Sequence, residues 1–245
     1  MKNFKNWLCL ILAFLAFTGH AQKKKVAVVT FYANKMVDFG ELDLGGEELL
    51  KDLLNLRDNP NFNLKPLLEQ YHTNFFKEYA NELPFELLPE SQVVETEKYQ
   101  NFVPEFELAK YDERNYLLYD KYKYIHEGFM GKNNEEGIAK LFAGEADGVL
   151  FVRINFAFEK GFGIGNNMTL KMRAFTRIAL YNKEGEKVFV INESERSKKT
   201  AVMIKGVPVV NPEKILPMCE SALTELMGDL KKRIAKIISK SDKKL

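Results

Sequence analysis

Three strand-like runs follow one another with only turn residues between them, and they limit what the rest of the chain can do. Residues 148–158 (GVLFVRINFAF), 168–181 (MTLKMRAFTRIALY) and 186–193 are rich in β-branched and aromatic side chains, and part of the first two alternates apolar with polar positions. That two-residue period belongs to a strand with one buried face. A glycine-rich connection, residues 161–167, joins the first two, and a turn at residues 182–185 joins the next pair. Three consecutive antiparallel strands are therefore predicted.

A sheet with one apolar face needs a covering layer. Two segments can supply it. Leu64, Leu67, Leu68, Tyr71, Phe75, Phe76, Tyr79 and Leu83 recur at the spacing of one helix face. A second stripe, Cys219, Ala222, Leu223, Leu226, Leu230, Ile234 and Ile237, follows Asn211, Pro212 and Glu213, which read as a cap, a first-turn proline and an acid. Residues 25–32 (KVAVVTFY) read as a buried opening strand, and residues 85–94 as a strand that Pro89 pushes to a sheet edge or a bend. Residues 133–143 read as a helix with Glu135 and Glu136 in its first turn, and residues 47–56 as a possible short helix. Between residues 99 and 129 tyrosines crowd together, and Leu118, Tyr122, Ile125 and Phe129 can share a helical stripe. The expected architecture is α/β (α+β): a single mixed sheet in the order β-α-β-α-β-β-β-α, with helices packed on it and a carboxyl-terminal amphipathic helix. Residues 22–245 are expected to form one domain, with the tyrosine-rich insertion near residues 99–131.

The amino terminus has a basic start (Lys2, Lys5), an apolar run over residues 7–17 and small residues Gly19 and Ala21 before Gln22. This is the order of a secretory signal peptide, residues 1–21, and the run is too short for a spanning helix. Its removal takes away Lys2 and Lys5 and no acid, so the 36 basic residues fall to the number of acidic ones, 34. A neutral chain lacks the basic excess that binds nucleic acid. Only Cys219 remains of the two cysteines, which excludes an intramolecular disulfide.

No motif assembles a catalytic constellation, and no cofactor or metal is expected. Gly161, Gly163 and Gly165 fit a hairpin tip better than a phosphate loop, because strand follows where a dinucleotide site needs a helix. His126 and Glu127 begin like a zinc-protease helix, but Met130 stands where the second ligand belongs. His72 lies beside an apolar stripe, Cys219 lies on one, and Asp38, Glu41 and Asp43 lack the spacing of a calcium loop. The tyrosines Tyr111, Tyr116, Tyr119, Tyr122 and Tyr124 are the candidate partner-binding residues, since tyrosine joins a large apolar ring to a polar tip; packing at the core edge is the simpler account of them, and a small-ligand site the third. The basic end, Lys231, Lys232, Arg233, Lys236, Lys240, Lys243 and Lys244, suits peripheral contact with anionic lipid or plain solubility.

The segments VAVVTFY, PFELLPESQVV, AKLFAGEADGVLFVRI and RIALYNKEGEKVFV, with the last helix, resemble the compact α/β domain shared by three groups. These are the curli-secretion lipoproteins, the penicillin-binding-protein activator lipoproteins and the amino-terminal domain of the Tol β-propeller protein. The leader ending in His20, Ala21 and Gln22 is similar to those of exported Bacteroidota proteins. Lipoproteins of this kind begin on a modified cysteine, where this chain has Gln22. The resemblance implies a periplasmic or outer-membrane-associated, non-enzymatic module that binds an envelope protein and carries no shared catalytic residues. The alternatives are an envelope hydrolase built on converging carboxylates and a binder of small ligands or glycans.

Overall fold

Residues 26–33 are buried without a break because the strand they form, β1 (Lys25–Asn34), has hydrogen-bonded partners on both edges and side chains packed on both faces. A strand in that position reads as a continuous apolar run. The computed structural model describes residues 23–42, 55–105, 113–128, 131–205, 207–209 and 211–238. The expected signal segment, residues 1–21, lies outside them, as does most of the possible helix at 47–56.

After β1 come α1 (Lys65–Asn74), β2 (Glu86–Leu87), α2 (Glu97–Asn101), β3 (Tyr116–Leu118) and α3 (Lys132–Phe142). Then follow β4 (Gly148–Ile164), β5 (Asn167–Asn182), β6 (Lys187–Ile204), β7 (Val207–Val209) and α4 (Pro212–Ile238). The sheet order is β2-β1-β4-β5-β6-β7, and β3 also pairs with β1. β1 runs parallel to β2 and β4; the other pairings are antiparallel. This is a mixed α/β fold in the expected order, with α2, β3 and β7 added.

α1 continues through a π turn (Phe75–Tyr79) and a 3-10 turn (Ala80–Glu82), which carries its apolar stripe on to Leu83. α4 starts where Asn211 Oδ1 accepts from the Lys214 amide at 3.0 Å, the capping contact that the sequence signals. α1 and α4 cover one face of the sheet, with Leu68, Tyr71, Phe75, Cys219, Leu223, Leu226 and Leu230 buried in the same core as Phe31, Val152, Ala174 and Ile178. The polar tips inside that core are satisfied. The Tyr71 hydroxyl lies 2.6 Å from Thr176 Oγ1, and that of Tyr79 donates to the Met227 carbonyl at 3.0 Å.

Three expectations change. The strand at 85–94 shrinks to the two-residue edge strand β2 with Pro89 just beyond it, as expected of a residue that cannot donate to a ladder. The helical stripe across 99–129 does not form: Leu118 sits in β3, and Tyr122 and Ile125 are buried in non-helical chain. The meander is longer than predicted, because β4 runs through the glycines to Ile164 and β6 continues to Ile204. The β4–β5 turn is only Gly165 and Asn166, with Gly165 at φ 59°, as a tight hairpin with glycine in its first position requires. A Cβ on Gly163 would lie 2.3 Å from the Met168 Cα, so the two strands can approach there only around a glycine.

Between its contacts with β2 and β3, one edge of β1 has no strand beside it. A bulge interrupts the β1–β4 register between Val28 and Thr30. Tyr99 fills the gap: its hydroxyl donates to the Val29 carbonyl and accepts from the Lys123 amide, each at 2.8 Å, while Thr30 Oγ1 donates to the Lys123 carbonyl at 2.8 Å. The Tyr99 side chain thus performs the work of a missing stretch of ladder. Tyr99→Phe leaves a buried carbonyl and an amide without partners and is expected to cost about 1–3 kcal/mol. Urea unfolding of the two proteins at neutral pH measures it.

Candidate functional site

Cross-strand register sets the face opposite α1 and α4. Tyr32, Arg153, Arg177 and Asn192 form one row, Asn155, Phe175 and Ser194 a second, and Ala157, Arg173 and Arg196 lie beyond them. Side chains within such a row share a face. α3 packs against β4 and β5 at one end of this face, where Phe151 and Tyr181 are buried. Farther along, Asn155, Ala157, Phe175 and Ser194 stay half-exposed.

Charge on this face is matched almost everywhere. The Glu127 side chain, 6% exposed, pairs with Arg177 Nε at 2.5 Å. Arg177 also donates to Asn192 Oδ1 at 3.3 Å. Glu159, 4% exposed, is held between Arg173 and Arg196, the latter at 2.5 Å. Arg153 differs. Among the described residues no carboxylate is in salt-bridge contact with it, although the Glu127 charge acts on it from farther off; its Nη1 donates to the Tyr32 hydroxyl at 3.4 Å, and its buried Nε has no hydrogen-bond acceptor.

Tyr32, which meets this guanidinium, belongs to a cluster of three tyrosines. The Tyr32 ring stands edge-on to Tyr116 at 5.5 Å and to Tyr124 at 5.3 Å, and Tyr116 and Tyr124 lie 4.4 Å apart. The Tyr124 hydroxyl also lies 3.2 Å from His126 Nδ1. Burial raises the pKa of Tyr32 despite the opposing pull of Arg153, and burial together with the Tyr116 hydroxyl raises that of Tyr124. The Tyr32 and Tyr124 phenols therefore stay neutral beside a fixed positive charge. A planar guanidinium with neutral donors around it is suited to receive a carboxylate.

Two carboxylates do converge nearby, as a hydrolase would need, and three of their four oxygens carry structural contacts. Glu127 and Glu135 both approach the Tyr181 hydroxyl, at 3.1 and 2.6 Å. Glu127 is bound by Arg177, and Glu135 accepts from the Gly128 amide at 2.6 Å. These contacts lock α3 and the preceding loop onto the sheet, with both Glu127 oxygens and Glu135 Oε1 engaged. Burial pushes the Cys219 thiol pKa up, which keeps it protonated and unreactive. Asp38 Oδ1 caps a turn by accepting from the Gly40 amide at 2.8 Å; Asp43 lies outside the described residues.

The tyrosine segment wraps around the edge of β1, so its members divide between the two faces. Tyr116 and Tyr124 join the Arg153 cluster. Tyr119 and Tyr122 lie on the other side around His72: the Tyr119 ring stacks on the imidazole at 3.6 Å, and His72 Nε2 lies 2.8 Å from Glu90 Oε1. A cavity of about 430 Å³ opens there beside Lys65, Glu69, Leu118, Tyr119 and Asp120. Tyr122 and Tyr124 are buried, Tyr116 and Tyr119 are half-exposed, and Tyr111 lies outside the described residues. The sequence reading did not single out Tyr32, Arg153, Arg177 or Glu127. The available signal was an arginine set within each of two strongly apolar strands. At the basic end, Lys231 pairs with Glu78 at 2.9 Å and Arg233 with Glu193 at 3.0 Å; residues 239–245 lie outside the described residues.

No family model matches the sequence, and no curated protein matches it. Among solved structures, the chain is similar to a neuraminyllactose-binding hemagglutinin homolog from Helicobacter pylori, with 9% identity over 91% of this chain and 92% of that one and a TM-score of 0.38. The hypothetical protein CT253 from Chlamydia trachomatis matches at 8% identity over 87% and 99% of the two chains, with a TM-score of 0.34. Lipoprotein GNA1162 from Neisseria meningitidis matches at 13% over 84% and 99%, with a TM-score of 0.28. Superpositions this loose establish no shared function. Among the described residues no helix is long and apolar enough to cross a membrane.

The two kinds of arginine should respond differently to removal. Arg177→Met strands the buried Glu127 charge and is expected to cost about 3–5 kcal/mol, whereas Arg153→Met removes an unmatched charge and should be neutral or stabilising; denaturant unfolding of both variants makes the comparison. The Glu90 carboxyl is half-buried, which alone would raise its pKa, but the hydrogen bond and charge of His72 hold it below the ordinary carboxylate range. A depressed folded-state pKa adds stability that is present above the unfolded pKa and lost as pH falls through the folded one. The stability difference between the wild type and His72→Phe should therefore shrink on acidification through that range, followed by urea unfolding across pH.

Proposed function

We propose that this chain is an exported, non-enzymatic binding module of the cell envelope, which captures an envelope protein by seating one of its carboxylates on Arg153 between Tyr32, Tyr116 and Tyr124. The observation that carries the reading is the unmatched guanidinium. A partly buried charge without a carboxylate in direct contact is costly, and the neighbouring arginines Arg173, Arg177 and Arg196 all have one, whereas Glu127, which acts on Arg153 from farther off, is bound by Arg177. A partner that brings the missing carboxylate recovers that cost on binding, and the half-exposed Tyr116 and Phe175 give it apolar surface beside the charge. The order of basic, apolar and small residues before Gln22 supports export. Tyr119, on the opposite face, extends the candidate contact surface around the sheet edge.

A photo-crosslinking residue in place of Asn155, on the same face but outside the charge cluster, tests the reading in intact cells. One reproducible crosslinked protein, lost when Arg153→Met is added to a chain that still folds, is the expected outcome. Recovery only as an uncrosslinked monomer from both periplasmic and outer-membrane fractions would sink it. A carboxylated sugar is the second reading, favoured by the cluster of Tyr32, Tyr116 and Tyr124 rings that adjoins the Arg153 guanidinium through Tyr32. Calorimetric titration with a uronic acid separates it from a protein partner.

A further inference from the structure

The far end of the β4–β5–β6 meander carries large apolar side chains in water. Phe162 is 87% exposed and Ile164 84%, while Val202 and Ile204 on β6 are 45% and 52% exposed. Pairing explains why the four lie together. Met168 stands opposite both Gly163 and Met203, and Met203 is buried on the α4 side. The alternate positions Val202 and Ile204 therefore point the other way. Ile164 is paired with Asn167, and Thr169, opposite Val202, donates to the Phe162 carbonyl at 3.1 Å, which brings Phe162 into the same surface.

The charge around this patch has one sign. Residues 160–172 and 197–209 contain Lys160, Lys171, Lys198, Lys199 and Lys205 and no Asp or Glu. Lys198 is paired with Glu225 of α4 at 2.7 Å; Lys160, Lys199 and Lys205 are exposed and make no ion pair among the described residues. Two glycines hold the tip narrow: a Cβ on Gly161 would lie 2.4 Å from Thr169 Oγ1, and Gly163 is equally crowded. A narrow, apolar, lysine-rimmed projection matches an interface that is negative outside and hydrocarbon beneath.

We propose that this hairpin tip inserts into the headgroup layer of an anionic phospholipid membrane, with its lysines against lipid phosphates and Phe162 and Ile164 below them. Apolar burial and attraction to anionic lipid add in such binding. The tip lies at the opposite end of β4 from Gly148, beside which the chain enters β1 through the Lys25 amide hydrogen bond to Asp147 at 2.8 Å. The basic end of α4 is not part of it.

The test uses residues 22–245, which retain the whole described core from Val26 to Ile234. Trp7 is the only tryptophan in the sequence and lies outside this chain, so Phe162→Trp supplies a single reporter. Its emission should shift to the blue with phosphatidylglycerol/phosphatidylethanolamine vesicles and not with phosphatidylcholine alone. In co-sedimentation, Phe162→Ser with Ile164→Ser should weaken binding at least about tenfold, and each of Lys160→Glu and Lys205→Glu about fivefold or more. No co-sedimentation of the unmodified chain with anionic vesicles would overturn the proposal, as would undiminished binding by the serine variant. A blue shift without vesicles that tracks a concentration-dependent dimer would also overturn it, because a second copy then covers the tip.

Discussion

The parallel pairing of β1 with β4 is the contact on which the rest of the structure depends. It places the first strand of the fold inside the sheet, beside a strand more than a hundred residues later, from Val26 opposite Gly148 to Ala33 opposite Ile154. Burial on both faces and both edges demands a hydrogen-bond partner for every backbone group of β1. β2 and β3 supply only the ends of the outer edge, and in the middle the Val29 carbonyl falls to the Tyr99 hydroxyl, which the Lys123 amide holds in place. The tyrosine-rich segment is thus first a structural clamp. Because it crosses the sheet edge, it also delivers Tyr116 and Tyr124 to one face and Tyr119 and Tyr122 to the other.

Electrostatic matching then separates structure from function. Glu127 and Glu159 are nearly enclosed, and each is bound by arginine, so these groups serve to hold strands and loop in register. Arg153 sits in the same row as Arg177, yet it donates to the Tyr32 phenol, and the nearby Glu127 is bound by Arg177 instead. Folding alone would be served as well by an apolar side chain there. On the function proposed above, the residue is half of an interaction whose other half comes from outside the chain.

Much of the fold was legible because periodicity and length agree. The stripes of α1 and α4 and the alternation within β5 each repeat often enough to exclude other periods. The far half of β6 was not legible. Its SERSKKT stretch is polar and reads as loop, but pairing with β5 imposes strand on it, with a bulge at Ser197 where the hydroxyl accepts from the Met172 amide at 3.0 Å. The same holds for GFGI in β4. The site was half legible: tyrosine density marked Tyr116 and Tyr124, while Tyr32, Arg153 and Arg177 converge only through strand register, which no local pattern encodes.

The late arrival of β4 also bears on how such a chain is made. β1 has no sheet to join until the residues beyond 148 exist, and the layer that covers it is complete only with α4, the last element. Non-local pairing of this kind is slow because loop closure must precede any reward from contact. During synthesis the emerging chain accordingly has no finished core to close upon until α4 has been made.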